Sequence, residues 1–278
     1  MSNIIVRTLT GAVFISFVLL PLFWRKEAAA VIFSLFMILG IIEFYKLFNK
    51  NETIEISWEL GLTGALLLFG VSIAVLFGFF PWAFEILLFP ILFTLLIFEL
   101  WRKKKNPLLN TAVTIFGWIY VVLPFFLMIQ LNNYDSSIHS ETGSYFPLLA
   151  GMFILIWMND TFAYLSGRFF GKTKLIERIS PNKTWEGTIG GILFTMASGV
   201  AIGLLFDPER QFFWIISALI IAPCSSLGDL LESLFKRNMG VKDSGNILPG
   251  HGGILDRFDA TLFTVPFFVS WTYFYTYI

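Results

Sequence analysis

Apolar residues in this chain come in long, nearly unbroken runs rather than in the three-and-four spacing of a helix with one wet face. Windows of about 19 residues predict helices near 9–24, 28–48, 60–80, 82–100, 108–130, 146–167, 187–206, 212–235 and 260–278, about nine in all. The thinnest break falls at Phe80-Pro81-Trp82. Each run approaches the ~20 residues that a helix needs to cross a hydrocarbon core of about 30 Å. The pattern therefore predicts an all-α, polytopic integral membrane protein. The first run, after Arg7, resembles a signal peptide ending near Ala28-Ala29-Ala30. Arg25, Lys26 and Glu27 stand where small neutral residues should precede cleavage, so the expectation is a retained first helix.

Composition agrees: 56% of the 278 residues are hydrophobic and 14% charged, with 33 Phe, against about 25% charged in soluble domains. Formal net charge is zero, so the placement of charge carries the information. If the predicted connections alternate sides, sixteen of the 19 basic residues fall on one side. Only Arg25, Lys26 and Arg210 fall on the other. Basic loops stay inside, which puts the N-terminus in the cytoplasm. The connection 131–145 carries Asp135, His139 and Glu141 but no Lys or Arg, and is expected outside. Without an internal repeat or a linker, residues 1–278 read as one transmembrane domain. In it, 1–145 are N-terminal helices and 146–278 carry the chemistry, with cytoplasmic loops 168–186 and 236–259. The single Cys224 excludes an internal disulfide, and no Cys/His cluster has zinc or haem spacing.

Carboxylates inside a membrane are costly, so each is a functional candidate by default. Asn159-Asp160 lies seven or eight residues before Arg168, roughly 10–12 Å below the cytoplasmic boundary. Glu43, Glu85 and Glu99 lie nearer helix ends, where reaching the interface suffices. In the loop 168–186, Ser180, Asn182 or Thr184 can cap a helix beginning near Trp185. Capping does not explain Lys183, whose charge opposes the positive end of a helix but suits an incoming phosphate. Ser225, Asp229, Glu232 and Lys236 share one helical face, a polar stripe leading down from the cytoplasm. Residues 236–259 read KRNMGVKDSGNILPGHGGILDRFD. Lys236, Arg237, Lys242 and Arg257 supply cations, Asp243, Asp256 and Asp259 supply hard oxygens, and glycines let the backbone approach a ligand. Such a set suits a polyphosphate with its metal. A basic anchor on anionic lipid is the bland alternative, but it needs neither His251-Gly252-Gly253 nor interleaved aspartates. His251 could contact phosphate or simply hydrogen-bond the backbone.

SLFKRNMGVKDSGNILPGHGGILDRFD, from Ser233 to Asp259, resembles the signature of the phosphatidate cytidylyltransferases, with NDTFAYLSGR from Asn159 and SPNKTWEG from Ser180 in support. The likeness covers roughly residues 150–260. It implies that CTP and phosphatidate give CDP-diacylglycerol and pyrophosphate for phospholipid biosynthesis. By motif position, Asp229 and Asp256 are implied as metal-binding carboxylates, with Asp160, Asp243 and Asp259 as further candidates. Lys236, Arg237 and Arg257 join them as catalytic residues. Asn159, Asp160, Ser180, Asn182, Lys183, Thr184, Lys242 and His251 are implied in substrate binding. The resemblance also implies Mg²⁺, with a second cation left open, a homodimer, and a bacterial inner-membrane enzyme whose site faces the cytoplasm. Membrane lipids are expected partners and nucleic acid is not. Phosphatidate is already a dianionic nucleophile near neutral pH, which agrees with a site lacking any Ser-His-Asp set. Three other readings compete: a cytidylyltransferase for another lipid phosphate, a polyprenol or phytol kinase, and an anion transporter. A transporter would place its charge at the midplane between inverted halves, whereas here charge gathers toward one face.

Overall fold

The computed structural model describes residues 3–139, 146–247 and 252–276. The chain is helical almost throughout: α1 (Asn3–Trp24), α2 (Lys26–Phe48), α3 (Trp58–Leu76), α4 (Leu88–Arg102), α5 (Pro107–Gly117), α6 (Leu123–His139), α7 (Leu148–Phe170), α8 (Trp185–Leu205), α9 (Gln211–Asn238) and α10 (Leu255–Thr276). A 3₁₀ turn, Trp82–Leu87, leads into α4, and a π-helical turn, Trp118–Val122, joins α5 to α6. Seven helical spans among the described residues are long and apolar enough to cross a membrane. The apolar stretch Thr8–Trp24 is shorter, and α10, with its several Thr, Tyr and Trp, is not among the seven. The molecule is thus an all-α, polytopic membrane-type protein. Its one departure among the described residues is a short antiparallel pair, β1 (Lys174–Ile176) with β2 (Ser180–Thr184), between α7 and α8.

Helices in lipid gain little from hiding apolar surface on one another, so close packing needs backbones that can approach. α8 meets this with Gly187, Gly191, Thr195, Gly199 and Gly203, buried at a strict four-residue interval. Along that stripe α8 lies between α7 and α9. A Cβ on Gly191 would stand 2.8 Å from Asn159 Oδ1, and one on Gly199 would stand 2.7 Å from both the Ala218 Cβ and the Trp214 carbonyl. α9 packs in turn on α10. By contrast α3, and α4 with the 3₁₀ turn that leads into it, have only 17% and 11% of their spans buried, and with the connection between them they present Phe79, Trp82, Phe89 and Phe93 outward.

Three expectations change. The connection expected over 131–145 begins later, because α6 runs on to His139. Asp135 is buried within that helix, accepts from the Leu148 amide at 2.8 Å and faces Arg210. Asp135 and Ser136, which lower hydropathy there, find partners within the bundle, so the drop does not end the helix. Glu141 lies outside the described residues, and so does the side chain of His139. Glu43 and Glu99 do not reach for the interface: both are buried. Glu99 accepts from Arg102 at 2.7 Å and Asn110 at 3.0 Å. Glu85 is exposed, on the 3₁₀ turn.

Replacing Gly199 by Ala should destabilise the protein by about 1–3 kcal/mol, the usual cost of overpacking. Gly70→Ala meets nothing within 4 Å and should be neutral or gain up to about 1 kcal/mol through helix propensity. Thermal unfolding of the two variants in detergent checks the contrast.

Candidate active site

Where α7, β2, α9 and α10 converge there is a cavity of about 810 Å³, within the ~300–1,000 Å³ of small-molecule sites. Its polar wall holds Asn159 and Asp160 from α7, and Asn182, Lys183 and Thr184 from β2. Asp229 from α9, and Asp256, Arg257 and Asp259 from α10, complete it. Phe14 and Ile15 of α1 with Trp157 of α7 form an apolar wall, and Arg168 of α7 also lines the cavity.

Each side chain has a local reason to be there. The β1–β2 register pairs Lys174 with Thr184 and Ile176 with Ser180. Thr184 is the cap of α8, its hydroxyl accepting from the Gly187 amide at 3.2 Å. Glu186, in the first turn, folds back to accept from the amides of Lys172 and Thr173 at 3.1 and 3.2 Å. These bonds fix the hairpin against the helix start and turn Lys183 into the cavity. Its Nζ meets Asp229 Oδ2 at 2.7 Å. Asn159 is buried and donates to Ser225 and Ser226 at 3.2 and 3.1 Å, tying α7 to α9. Asp160 beside it opens to the cavity and accepts from Ser225 at 3.4 Å. Asp160, Asp229 and Asp259 lie near enough to repel one another.

Asp256 stands apart in being largely occupied. Its oxygens accept from Lys236 Nζ at 2.8 Å, Gly253 N at 2.8 Å, and Ser244 N at 3.0 and 3.2 Å. A carboxylate offers about four lone-pair positions, so Asp256 has one oxygen site at most left for a ligand. Lys236 is divided between Asp256 and Glu232 and does not line the cavity.

The single polar face expected for Ser225, Asp229, Glu232 and Lys236 therefore divides. Asp229 looks toward the hairpin, and Glu232 and Lys236 toward α10. Ser180 is held in β2 and lies away from the cavity, as do Arg237, which reaches the Ile179 and Val241 carbonyls, and the exposed Lys242 and Asp243. Spacing alone could not show this, because Asn182, Lys183 and Thr184 all line the cavity while Ser180, at the far end of β2, lies beyond it, and the segment after α9 is exposed at Lys242 and Asp243. His251 lies outside the described residues.

Among the described residues, no three His, Cys, Asp or Glu side chains are grouped to cage a metal ion. Mg²⁺ needs no cage: it binds through one or two carboxylates plus substrate phosphates, keeping several waters. Asp229, with Asp160 and Asp259 beside it, fits an ion shared with a polyphosphate.

Two residues of the N-terminal helices stand near the site unexpectedly: Tyr120, which the sequence does not single out, and Glu43, which the sequence places at the interface. Tyr120, on the π turn, is buried with its hydroxyl unpartnered and lies near Glu232 and Asp259. A π turn inserted in an α-helix often marks a functional region, but no pattern of hydropathy reveals it. Glu43, on α2, reaches the start of α10, and its only signal is a carboxylate inside an apolar run.

The Cytidylyltransferase family profile matches residues 5–275. The phosphatidate cytidylyltransferase of Staphylococcus aureus (strain COL) is 36% identical over 266 residues, 94% of this chain and 96% of that protein. The protein of the same name from Staphylococcus haemolyticus (strain JCSC1435) is 35% identical over 94% of this chain and 96% of its own. That from Haemophilus influenzae (strain ATCC 51907 / DSM 11121 / KW20 / Rd) is 41% identical over 181 residues, 63% of this chain and 60% of its own. The likeness thus extends through the N-terminal helices as well as the motif-bearing half, and this chain belongs to the cytidylyltransferase family.

Proposed function

We propose that this protein is a phosphatidate cytidylyltransferase. A phosphate oxygen of phosphatidate attacks the α-phosphorus of CTP. The bond to the β-phosphate oxygen breaks, and CDP-diacylglycerol and pyrophosphate form. The observation that carries this reading is one cavity with carboxylates from three helices, cations from β2 and α10, and an apolar wall from α1 and α7. A soluble triphosphate and a lipid headgroup can meet there.

The residues act by positioning and by neutralising charge. Bound Mg²⁺ would supply electrostatic stabilisation of the triphosphate. Asp229 would hold it, helped by Asp160, Asp259 and the remaining oxygen site of Asp256. Lys183, drawn off Asp229 by an arriving phosphate, would take an oxygen of the transferring group. Arg257 and Arg168 lie in the same walls for the lipid phosphate and the departing pyrophosphate. No residue has to remove a proton, because the phosphomonoester arrives ionised. Lys236 serves the site through Asp256. In this reading the chain crosses the membrane nine times with a cytoplasmic N-terminus, and in a bacterium it sits in the inner membrane with its cavity facing the cytoplasm.

With CTP labelled at the α-phosphate, lipid should carry the label, and with γ-labelled CTP it should not. The reverse result would identify a lipid kinase. Asp229→Asn should lower turnover about a thousandfold or more, the scale of losing a principal electrostatic group, in protein that still inserts. Lys183→Ala should cost about 10²–10³-fold in kcat/KM for CTP, and an unchanged value would return Lys183 to a surface role. In a Cys224-free background, an impermeant thiol reagent should label a cysteine at Lys104 from the cytoplasmic side and one at Gly78 from the other.

A further inference from the structure

Glu43 lies on α2, far in sequence from every motif residue, yet its carboxylate sits within the segment that carries Asp256. It is 4% exposed. Its Oε2 accepts from the Leu255 amide at 3.0 Å, with the Ile254 amide alongside. These are the first free N–H groups of α10, where a negative charge is favoured by the helix dipole. Its two oxygens also abut Gly245 and Gly253 so closely that a methyl on either glycine would overlap them. Asp256 grips the same segment from the other side, through the Ser244 and Gly253 amides. Gly252, at φ +81, leaves room that a Cβ would take from the Asp256 carboxylate, at 2.6 Å from Oδ2. The backbone flanking Asp256 is thus held between two carboxylates, one from each half of the chain.

We propose that Glu43 is a positioning residue: by capping α10 and filling the cradle left by Gly245 and Gly253, it fixes the segment that presents Asp256 to the cavity. This rests on the reading of Asp256 as a residue of the reaction site. A buried carboxylate is costly unless its partners are fixed. Here the partners of Oε2 are amides of the segment itself, so the cost of burial is offset, in part, only while that segment keeps this shape.

The test uses the full chain in lipid nanodiscs, without nucleotide or metal, and reads amide hydrogen exchange. Glu43→Ala should speed exchange at residues 252–258 by about tenfold or more, as expected for loss of a hydrogen bond to a buried charge. Exchange in α7, α8 and α9 should stay unchanged. Gly245→Ala, which crowds the carboxylate while leaving it in place, should do the same. Glu43→Gln, which keeps one acceptor oxygen, should fall between. In turnover assays the three variants should lose kcat in that order, with KM for CTP within about twofold, the pattern of an interaction made in the transition state. Exchange rising throughout the protein, or kcat falling with no local change at 252–258, would overturn the proposal. So would wild-type behaviour in both assays. An active Asp256→Asn variant would instead remove Asp256 from the reaction. The exchange result on Glu43 would then stand as a description of the fold alone, so the two failures are distinguishable.

Discussion

The arrangement depends on how closely α8 can approach its neighbours. In a bilayer the lipid tails are as apolar as any side chain, so two helices associate through contact and through polar pairs rather than by escaping water. Gly187, Gly191, Gly199 and Gly203 remove side chains from one edge of α8, and α7 and α9 close on that edge. Gly187 in this stripe lies beside Gly167 of α7, at the same end as the Thr184 cap. The closeness that packs the helices therefore also fixes the height of the hairpin and so of Lys183. A helix pair held apart by ordinary side chains would leave Lys183 and Asp229 too far apart for the 2.7 Å contact observed.

The N-terminal helices have a part beyond passage through the membrane. α1 supplies Phe14 and Ile15 to the apolar wall. α2 supplies Glu43 to the start of α10, and the π turn between α5 and α6 brings Tyr120 up behind the carboxylates. The family resemblance is weakest to the eye in this half, because these contributions are single residues in apolar runs. An aromatic cluster of Phe44, Phe116 and Tyr120 around Phe235 joins the two halves just below Lys236. The motif-bearing helices are thus seated on the first half of the chain rather than standing beside it.

What could be read from the sequence follows from which physical signals are local. Apolar runs mark membrane helices whatever they pack against, so the positions of all the long helices follow from hydropathy. Thr184 as a cap, with Glu186 two residues on, is also local chemistry, and the helix indeed starts at Trp185. The gathering of Asp160, Lys183, Asp229, Asp256 and Asp259 is foreshadowed by the cost of polar groups in lipid, which pushes them together. The division of a motif between cavity and frame is not local. Lys236 and Arg257 are equally basic and stand near each other in one signature, yet one is turned into the interior and the other lines the cavity. The hairpin is likewise hidden, because its strands are three and five residues long and contain a proline and two lysines. The role of Glu43 is hidden most deeply, since its partners lie some 200 positions away.

Depth also separates the Lys183–Asp229 pair from the pairs that Lys236 makes with Glu232 and Asp256. Lys183 and Asp229 are 26% and 32% exposed, and pairs so placed contribute about 0–1 kcal/mol. Exchanging their partners, Lys183 for a phosphate and Asp229 for a cation as the proposed reaction would require, is therefore cheap. Lys236 is 12% exposed, while Glu232 and Asp256 are 1% and 7% exposed. Removing one member of such a buried set costs about 3–5 kcal/mol, because a charge is left without a counterpart. A lysine committed that heavily cannot be released to a substrate and restored in each cycle without slowing the reaction by orders of magnitude. The deeper set is consequently a frame that holds α9 against α10, and in the proposed reaction the shallower pair would be the part that works. The same reasoning explains why Asp256 accepts donors from three residues: it joins that frame to the cavity, and in the proposed reaction its value would lie in not moving.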